Sequence, residues 1–351
     1  GGYAANDSLN RSKIEGLDSL VLMSQAGMNG GRALVQILNG EVNAMLLNSG
    51  YLSVYEDMDG YTDFSTKIKE VGTVEVESTI QSAEESTPVE PITTANGGKG
   101  YTIYLSGIDT RGEMTAKSRS DVNIIATVNT DTHEILLVST PRDYFVPLSI
   151  SGGQRDKLTH AGIYGIDESI STIEDLLDTK INYYVKVNFT SLIDIVDALD
   201  GIVVNSNYSF TTVDGYSFKK GTNYLDGKEA LSFARERKAF KEGDRIRGEN
   251  QQLILTSIIN KATSTKIITN YTEILKAVKG KFITNIKDEE ITKLIKMQFR
   301  DGQAWNIKSI SVNGVDSYDY VYSYKKNKLY VMKPIQETVD NAKGKIKDVM
   351  K

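Results

Sequence analysis

The stretch SRSDVNIIATVN, residues 118–129, decides the fold, because it sets Arg119 and Asp121 at the start of an apolar run. The run VNIIATVN is rich in β-branched residues and is bounded by polar ones, which is typical of a buried strand. A charge at the start of a buried strand must stay solvated or find a partner. The stretch therefore indicates either a surface ion pair at a strand end or a ligand site, and the neighbouring elements must decide between the two.

Strands alternate with amphipathic helices around this stretch. YTIYLSGID at 101–109 and HEILLVST at 133–140 are predicted strands, and helices are predicted over 168–178 and 190–200 with a stop at Gly201. Such alternation indicates the α/β class. We expect a layered domain with helices on both faces of one sheet.

One segment has the composition of a connector. Residues 77–100, ESTIQSAEESTPVEPITTANGGKG, are rich in Ser, Thr, Glu, Pro and Gly. A domain boundary near residue 98 follows, with an accessory domain plus linker at 1–98 and the main domain at 99–351.

Composition excludes several classes of function. The 41 basic against 46 acidic residues give a net charge of -5, which argues against a nucleic-acid-coating protein. The absence of cysteine excludes disulfides and thiol chemistry, and the two histidines, His133 and His160, supply neither a multi-histidine zinc site nor a serine-histidine triad. His160 is predicted to be structural, His133 to be exposed at a strand start, and Trp305 and the tyrosines to serve packing.

No apolar stretch approaches the roughly 18 to 20 residues that a membrane span needs. The chain opens with Gly1-Gly2-Tyr3 and not with methionine. We therefore expect a soluble fragment, and the lack of an anchor within it says little about the natural protein.

Charged residues follow or open three predicted strands. Asp109 follows the first, Arg119 and Asp121 open the second, and Arg142 follows the third. Ligands usually sit at such a sheet edge, and a short loop would bring Asp109 and Asp121 together.

A second group of charges lies in LDGKEALSFARERKAFKEGDRIRGENQQ, residues 225–252. Arg235 and Arg237 share a face if that segment is extended. Asp244, Arg247 and Gln251 lie at i, i+3 and i+7 of a predicted helix and so also share a face. Alone, each run is typical of a solvated surface.

Together these residues point to a metal-assisted diphosphate site. Two carboxylates suit Mg²⁺, which takes oxygen ligands and completes its shell with water and phosphate. Guanidinium groups match phosphate oxygens in bidentate fashion.

Stretches of the chain resemble, in order, the motifs of the LytR-CpsA-Psr family of cell-envelope phosphotransferases. They are LSGIDTR, SRSDVNIIATVN, STPRDYFV, KLTHAG, YYVKVNF, LIDIVDALDG, LDGKEALSFARER and GDRIRGENQQ, all within residues 101–262. Residues 1–80 and the connector look like the accessory domain of the capsule-associated streptococcal members. The chain departs from the family pattern at Asp200-Gly201, where a Gly-Gly pair is frequent, and at Thr140, where Ile is common.

The resemblance implies a three-layer α/β/α sandwich with a central, mostly mixed sheet, preceded by a smaller α+β accessory domain. It also implies transfer of a polyprenyl pyrophosphate-linked glycan, a capsular polysaccharide or a teichoic-acid-like polymer, to peptidoglycan outside the cytoplasmic membrane, to which an anchor absent from these residues would hold the natural protein. It implies that Asp109 and Asp121 hold Mg²⁺, and that Asp244 helps the acceptor hydroxyl to lose its proton, with Arg237 and Arg247 also catalytic. The residues that it implies bind the pyrophosphate are Arg119, Arg142, Arg235, Arg237, Arg247 and Gln251.

The lipid tail would occupy an apolar tunnel, for which the helices at 168–178 and 190–200 offer apolar stripes, although such stripes usually only cover a sheet. Two alternatives stay open. The chain could be a non-catalytic regulator of capsule synthesis that binds a polyprenyl pyrophosphate, or a pyrophosphatase that uses water as acceptor.

Overall fold

A computed structural model describes residues 20–22, 44–46, 90–94, 99–109, 117–264, 271–278 and 280–351. The chain divides into two compact units, Gly1–Glu75 and Val76–Lys351. In the first unit two short strands, β1 (Leu20–Leu22) and β2 (Ala44–Leu46), pair in parallel. The predicted accessory domain and most of the predicted linker lie outside the described residues, so the boundary near residue 98 stays a prediction.

The second unit alternates strands and helices in its first half and ends in strands and a final helix. Its strands are β3 (Ile92–Thr93), β4 (Lys99–Ile108), β5 (Val122–Asn129), β6 (Glu134–Ser139), β7 (Phe145–Pro147), β8 (Arg155–Lys157), β9 (Tyr183–Asn188), β10 (Ile202–Ser206), β11 (Phe210–Thr211), β12 (Ser217–Phe218), β13 (Gly221–Leu225), β14 (Ile283–Thr284), β15 (Asn306–Ser311), β16 (Gly314–Val321) and β17 (Tyr324–Pro334). Its helices are α1 (Leu158–Tyr164), α2 (Ile166–Leu177), α3 (Phe189–Ala198), α4 (Gly227–Arg235), α5 (Gly243–Ala262), α6 (Tyr271–Val278), α7 (Asp288–Asp301) and α8 (Gln336–Val349).

The central sheet is mixed, which confirms the predicted fold class. Its order is β14-β9-β4-β5-β6-β15, and β3 pairs with β4. The pairs β4–β5, β5–β6 and β14–β9 are antiparallel, whereas β4–β9 and β6–β15 are parallel. The three strands predicted from 101 to 140 are thus neighbours in the middle of the sheet.

One face of this sheet, here called the closed face, is fully packed. Tyr104, Ile125, Leu136 and Val138 point into a core that α2 and α8 complete. The residues that these helices bury there are Ile170, Ile173, Leu177, Val339, Ala342 and Ile346. The apolar stripe of α2 is used in this core, which favours the covering role over the tunnel-lining role for that helix.

The other face, here called the open face, is covered in part by α5. Ile124, Ala126 and Leu137 are buried there, and Leu255 and Ile259 of α5 pack against them. A separate core joins α3, α4 and α5 to the β10–β13 hairpin. The sheet therefore lies between two helical layers.

Two local interpretations of the sequence were wrong. His133 is buried, with 6% of its surface exposed, and its ring lies 5.1 Å from that of Trp305, because φ of 51° turns the residue inward. Arg235 is the last residue of helix α4 and is not part of an extended segment, since the run GKEALSFAR begins with a capping box formed by Asp226 and Glu229. Trp305 does serve packing, and its Nε1 donates to Gln298 at 2.7 Å.

No helix in the described ranges is long and apolar enough to cross a membrane.

Candidate active site

Two carboxylates meet where β4 ends and β5 begins. The antiparallel pairing of Gly107 with Val122 places Asp109 beside Asp121, and the amide N of Asp109 donates to Oδ2 of Asp121 at 3.1 Å. Burial and the charge of Asp121 raise the pKa of Asp109 above its usual value. The antiparallel pairing thus brings the two carboxylates together, and their proximity agrees with the prediction.

Arginines surround Asp121 from two segments. Nη1 of Arg142, which follows β6, lies 2.8 Å from Oδ1 of Asp121. Burial alone would raise the pKa of Asp121, but the charges of Arg119 and Arg142 and the hydrogen bonds from Asp109 and Arg142 hold it below its usual value. Asp121 is therefore held as a carboxylate at the centre of the site.

A buried ion pair that the sequence analysis missed orients Arg142. Its Nε lies 3.4 Å from Oδ2 of Asp143, and Nζ of Lys157 lies 3.1 Å from the other oxygen of that carboxylate. Asp143 and Lys157 are 5% and 4% exposed. Asp143 stands in the quoted STPRDYFV stretch and Lys157 opens KLTHAG, and no sequence pattern joins these two segments.

Helix α1 fastens the segment that carries Arg119. The amides of Ser118 and Ser120 donate to the carbonyls of Gly162 at 3.1 Å and Thr159 at 3.2 Å. A Cβ on Gly162 would lie 2.3 Å from the Ser118 carbonyl oxygen, so only glycine permits this approach. The flanking backbone of Arg119 is therefore fixed on both sides.

The KLTHAG motif also links this helix to Arg142, because the amide of Thr159 donates to the Arg142 carbonyl at 2.8 Å. His160 is completely buried, and its Nδ1 lies 2.7 Å from Oδ1 of Asp156 and 2.9 Å from Oγ of Ser323. The structural interpretation of His160 is confirmed by this geometry.

Arg235 reaches the carboxylate pair from the end of α4. Its Nη2 lies 3.7 Å from Oδ1 of Asp109, and its guanidinium carbon lies 4.2 Å from the ring centroid of Phe189, the first residue of α3. The aromatic face positions the guanidinium beside the carboxylate without neutralising it.

The first turns of α5 bring the remaining charges. Oδ1 of Asp244 lies 3.3 Å from Arg247 Nη2 and 3.9 Å from Arg237 Nη1. Burial lowers the pKa of Arg247, while the charges of Asp244 and Asp121 oppose that shift. Arg247 therefore connects Asp244 to Asp121, and the predicted i, i+3 spacing holds.

The structure brings together eight of the predicted residues, here called the arginine-aspartate cluster. They are Asp109, Arg119, Asp121, Arg142, Arg235, Arg237, Asp244 and Arg247. Five arginines against three aspartates leave an excess of two positive charges. The ninth, Gln251, lies one or more turns further along α5, and its amide donates to the Ala234 carbonyl at 3.5 Å, so its role as a pyrophosphate ligand stays a prediction.

The carboxylates of the cluster can offer a metal ion two protein ligands. Within the described residues, no group of three or more His, Cys, Asp or Glu side chains is placed to hold a metal ion. The pair Asp109 and Asp121 supplies two carboxylates, which is the number that Mg²⁺ commonly takes when phosphates and water fill the rest of its shell. Their mutual repulsion, which raises the pKa of Asp109, is the kind of strain that a divalent cation relieves.

An incompletely covered apolar surface borders the cluster. Val122, directly after Asp121, and Ile103, Leu105 and Val185 on β4 and β9 are only partly buried on the open face. Their neighbours on the closed face, such as Tyr104, are buried. Apolar surface left partly open beside a charged site is typical of a ligand-binding region.

Known proteins are similar to this chain in sequence and in fold. A transferase of Bacillus subtilis (strain 168), the polyisoprenyl-teichoic acid--peptidoglycan teichoic acid transferase TagU, is 37% identical over 212 residues, which are 60% of this chain and 68% of that protein. The crystal structure of B. subtilis TagV matches with a TM-score of 0.61 and 28% identity, over 72% of this chain and 97% of that one. The structure of TagT bound to LI-WTA matches with a TM-score of 0.56 and 27% identity, over 72% of this chain and 90% of that one.

The sequence model of one family covers the region that holds the whole cluster. It is the model of the LytR_cpsA_psr family, and it matches residues 64–339. This chain belongs to the LytR_cpsA_psr family.

Proposed function

We propose that this chain is a phosphotransferase of the cell envelope, which moves a glycopolymer from a polyprenyl pyrophosphate carrier to peptidoglycan. The observation that carries the proposal is the arginine-aspartate cluster at the sheet edge, beside the partly open apolar surface. The name of the TagU relative, a teichoic acid transferase acting on peptidoglycan, supports the reaction class, and the TagT structure with LI-WTA supports the type of ligand.

The arginines would bind the pyrophosphate oxygens. Guanidinium groups bind phosphate in bidentate fashion, and a partly buried set strengthens each contact because little water competes. The excess of two positive charges in the cluster offsets the charge of a bound pyrophosphate. Arg119, Arg142, Arg235, Arg237 and Arg247 would therefore hold the donor and orient it.

Asp109 and Asp121 would hold Mg²⁺, which fits the donor set described above. When bound, the ion neutralises charge on phosphate oxygens and so makes the phosphorus more electrophilic. Arg142, through its 2.8 Å contact with Asp121, keeps that carboxylate in place for this role.

The transfer step needs a proton acceptor near the arginines. The oxygen of the acceptor hydroxyl attacks the phosphorus that carries the glycan, the bond from that phosphorus to the bridging oxygen breaks, and polyprenyl phosphate leaves. The hydroxyl proton passes to the carboxylate of Asp244, whose side chain is 38% exposed and so open to an incoming acceptor. Arg237 and Arg247, which flank Asp244, stabilise the charge that develops on the phosphate oxygens.

The polyprenyl tail would lie along the open face. Each CH₂ group taken from water contributes about 0.8 kcal/mol, so even a few isoprene units add substantially to affinity. The partly buried Ile103, Leu105 and Val122 begin directly beside the carboxylates, which places apolar surface where the tail leaves the pyrophosphate.

The glycan would be a wall polymer of the teichoic acid type or a capsular polysaccharide. The reaction would take place outside the cytoplasmic membrane, at the cell wall, with the natural protein held there by a membrane anchor. The teichoic acid transferases among the relatives support the wall location.

The test incubates the purified chain with Mg²⁺ and a short polyprenyl pyrophosphate-linked glycan, and measures donor binding and transfer to purified peptidoglycan together. We expect binding, transfer that chelation of the metal abolishes, and a higher melting temperature in Mg²⁺. Asp121→Ala should bind the donor weakly and lose turnover while its circular dichroism spectrum stays that of the wild type. Asp301→Ala removes a half-buried carboxylate that pairs with Arg300 outside the cluster, and this matched control should keep full activity.

Three results would contradict the proposal. Tight donor binding without turnover, in the presence of metal and acceptor, would favour the non-catalytic regulator. Glycan phosphate released to water but never attached to peptidoglycan would favour a pyrophosphatase. Full activity of a folded Asp121→Ala variant would show that the assigned site is wrong.

A further inference from the structure

The hairpin of β16 and β17 presents tyrosines to solvent. Tyr318 and Tyr320, two positions apart on β16, are 66% and 53% exposed. Tyr330 of β17 lies opposite Tyr318, with ring centroids 6.0 Å apart at 77°. Tyr318 and Tyr330 share one face of the hairpin, whereas Leu329 and Val331 on the other face are buried, and Tyr320 lies at a shift in strand register. These three tyrosines are here called the tyrosine strip.

The chemistry of the strip fits a sugar. The Tyr330 hydroxyl donates to Oδ1 of Asp316 at 3.0 Å, and Nζ of Lys328 lies 5.8 Å from the ring centroid of Tyr320. An exposed aromatic ring offers an apolar face to the C–H side of a sugar, while carboxylates and hydroxyls beside it bond to sugar hydroxyls. Exposed rings of this kind mark an interaction surface and not packing.

The tyrosine strip is continuous with the arginine-aspartate cluster. Nη2 of Arg245 donates to the Gly314 carbonyl at 3.1 Å and lies 3.7 Å from Oδ1 of Asp316. Arg245 directly follows Asp244 in α5. The pKa of Tyr330 is raised, first by burial and by Asp316 and more weakly by the charge of Asp244, so the strip lies within electrostatic range of that carboxylate.

We infer that the tyrosine strip binds the glycan strand of the peptidoglycan acceptor and aligns it so that the reacting hydroxyl reaches Asp244. The inference rests on the proposed function, because it uses the role assigned there to Asp244. The cluster contacts only the reacting hydroxyl of the acceptor, and the tyrosine strip adds a surface that binds the rest of the glycan strand.

The position of the hairpin favours the acceptor over the donor. The partly open apolar surface lies at β4, β5 and β9, whereas the hairpin follows β15 at the other edge of the sheet. Arg245, which follows Asp244 in α5, lies 3.7 Å from Asp316 beside the strip. The segment from Asp316 to Tyr320 spans about 13 Å at roughly 3.3 Å per residue, which exceeds the width of one sugar ring.

The test measures co-sedimentation of the full chain with purified peptidoglycan sacculi stripped of attached polymers. The double variant Tyr318→Ala/Tyr320→Ala should bind sacculi about tenfold more weakly, since each lost ring contact is expected to weaken binding by a few-fold. In the transfer assay its KM for acceptor should rise while kcat changes little. Its affinity for a short, glycan-free polyprenyl pyrophosphate should not change.

Two further variants serve as controls. Tyr224→Ala removes a tyrosine that is 79% exposed on β13 and should leave sacculus binding unchanged. Tyr318→Phe/Tyr320→Phe keeps both rings and should retain most of the binding, which separates stacking on a sugar from loss of the hairpin's structure.

Several outcomes would overturn the inference. One is that the double alanine variant binds sacculi as tightly as the wild type. Another is that Tyr224→Ala weakens sacculus binding by the same factor. A third is that the double alanine variant loses binding only to the soluble donor polymer or to anionic lipid vesicles. Absence of sacculus binding in a wild-type chain that binds polyprenyl pyrophosphate would also overturn it and leave the pyrophosphate site standing. Tyrosine-dependent sacculus binding without any pyrophosphate turnover would support the strip while the proposed reaction fails.

Discussion

Helix α1 contacts two groups of charged residues that differ in almost every respect. One is the arginine-aspartate cluster, reached through Thr159 and Gly162. The other, here called the buried triplet, consists of Asp156, His160 and Ser323. In the triplet, Asp156 and His160 are completely buried and the carboxylate accepts a hydrogen bond on each oxygen. In the cluster, two carboxylates lie side by side among five arginines, and several of these side chains remain partly exposed to solvent.

The difference separates a structural from a functional set of charges. The buried triplet ties α1 to the turn between β16 and β17, and both oxygens of its carboxylate accept hydrogen bonds from the protein. The cluster keeps two carboxylates side by side and an excess of arginines, an arrangement that a bound phosphate or cation stabilises. We therefore expect substitutions in the triplet to affect stability first and substitutions in the cluster to affect function first.

The largest effect on stability is expected for Asp156→Ala. The change leaves the buried His160 ring and the amides of Lys157 and Ser323 without their acceptor, which should lower the free energy of unfolding by about 3 to 5 kcal/mol. Urea unfolding followed by circular dichroism measures it. Asp348→Ala, an exposed carboxylate on α8, serves as control and should change little. A loss below about 1 kcal/mol for Asp156→Ala would remove the distinction between the two groups.

Arg247→Ala should show the opposite behaviour. Burial and the charges of Arg142 and Arg237 disfavour the charged form of this guanidinium. Its removal should therefore change the free energy of unfolding by less than about 1 kcal/mol. Transfer should fall by about a hundred- to a thousandfold, the effect of one preorganised donor worth roughly 2.7 to 4 kcal/mol. Steady-state rates and urea unfolding on the same preparation measure both. Arg300→Ala, an exposed arginine, should retain activity, and an active Arg247→Ala enzyme would contradict the cluster's role.

Gly162→Ala tests the helix that joins the two groups. A Cβ would meet the Ser118 carbonyl at 2.3 Å, so the backbone that flanks Arg119 must shift, at a cost of about 1 to 3 kcal/mol in stability. Gly344→Ala in α8, where a Cβ meets nothing within 4 Å, should instead raise stability by up to about 1 kcal/mol, because alanine favours the helix. Thermal unfolding compares the two variants, and equal effects would show that the close approach at Gly162 is not needed.

The smallest effect concerns the pH dependence of Asp109. Its pKa is raised above 3.8, so the folded chain holds this proton more tightly than the unfolded chain. Its contribution to stability is present in full below pH 3.8 and is lost as the pH rises through the raised value. In a buffer with chelator, Asp109→Asn should therefore gain stability relative to wild type on going from acid to neutral pH, by less than about 1 kcal/mol because the side chain is partly exposed. A gain that is largest in acid would contradict the like-charge repulsion.

The strands and their polar ends could be predicted because β4, β5 and β6 are apolar runs that stop at charged residues. Strand β15 could not be predicted, since NIKSIS carries polar residues at most positions and enters the sheet only through parallel pairing with β6. Asp143 follows the third predicted strand, but its pairing with Lys157 could not be predicted because it joins two separate segments of the chain. The prediction that the tyrosines serve packing was wrong for Tyr318 and Tyr320, since the exposure of a ring is a property of the packed chain.

The pairing of early and late segments also determines how the domain must fold. The side chain of Asn129, at the end of β5, donates to the Val349 carbonyl across 220 positions of sequence, and β15 completes the sheet beside β6. Contacts of such long range slow folding, because the chain loses the entropy of loop closure before these contacts form and stabilise it. The closed face stays incomplete until the residues of α8 are available, so its core cannot form before residues 336–349 have been made. A chain shortened before α8 would therefore lack part of the core that supports the sheet behind the site.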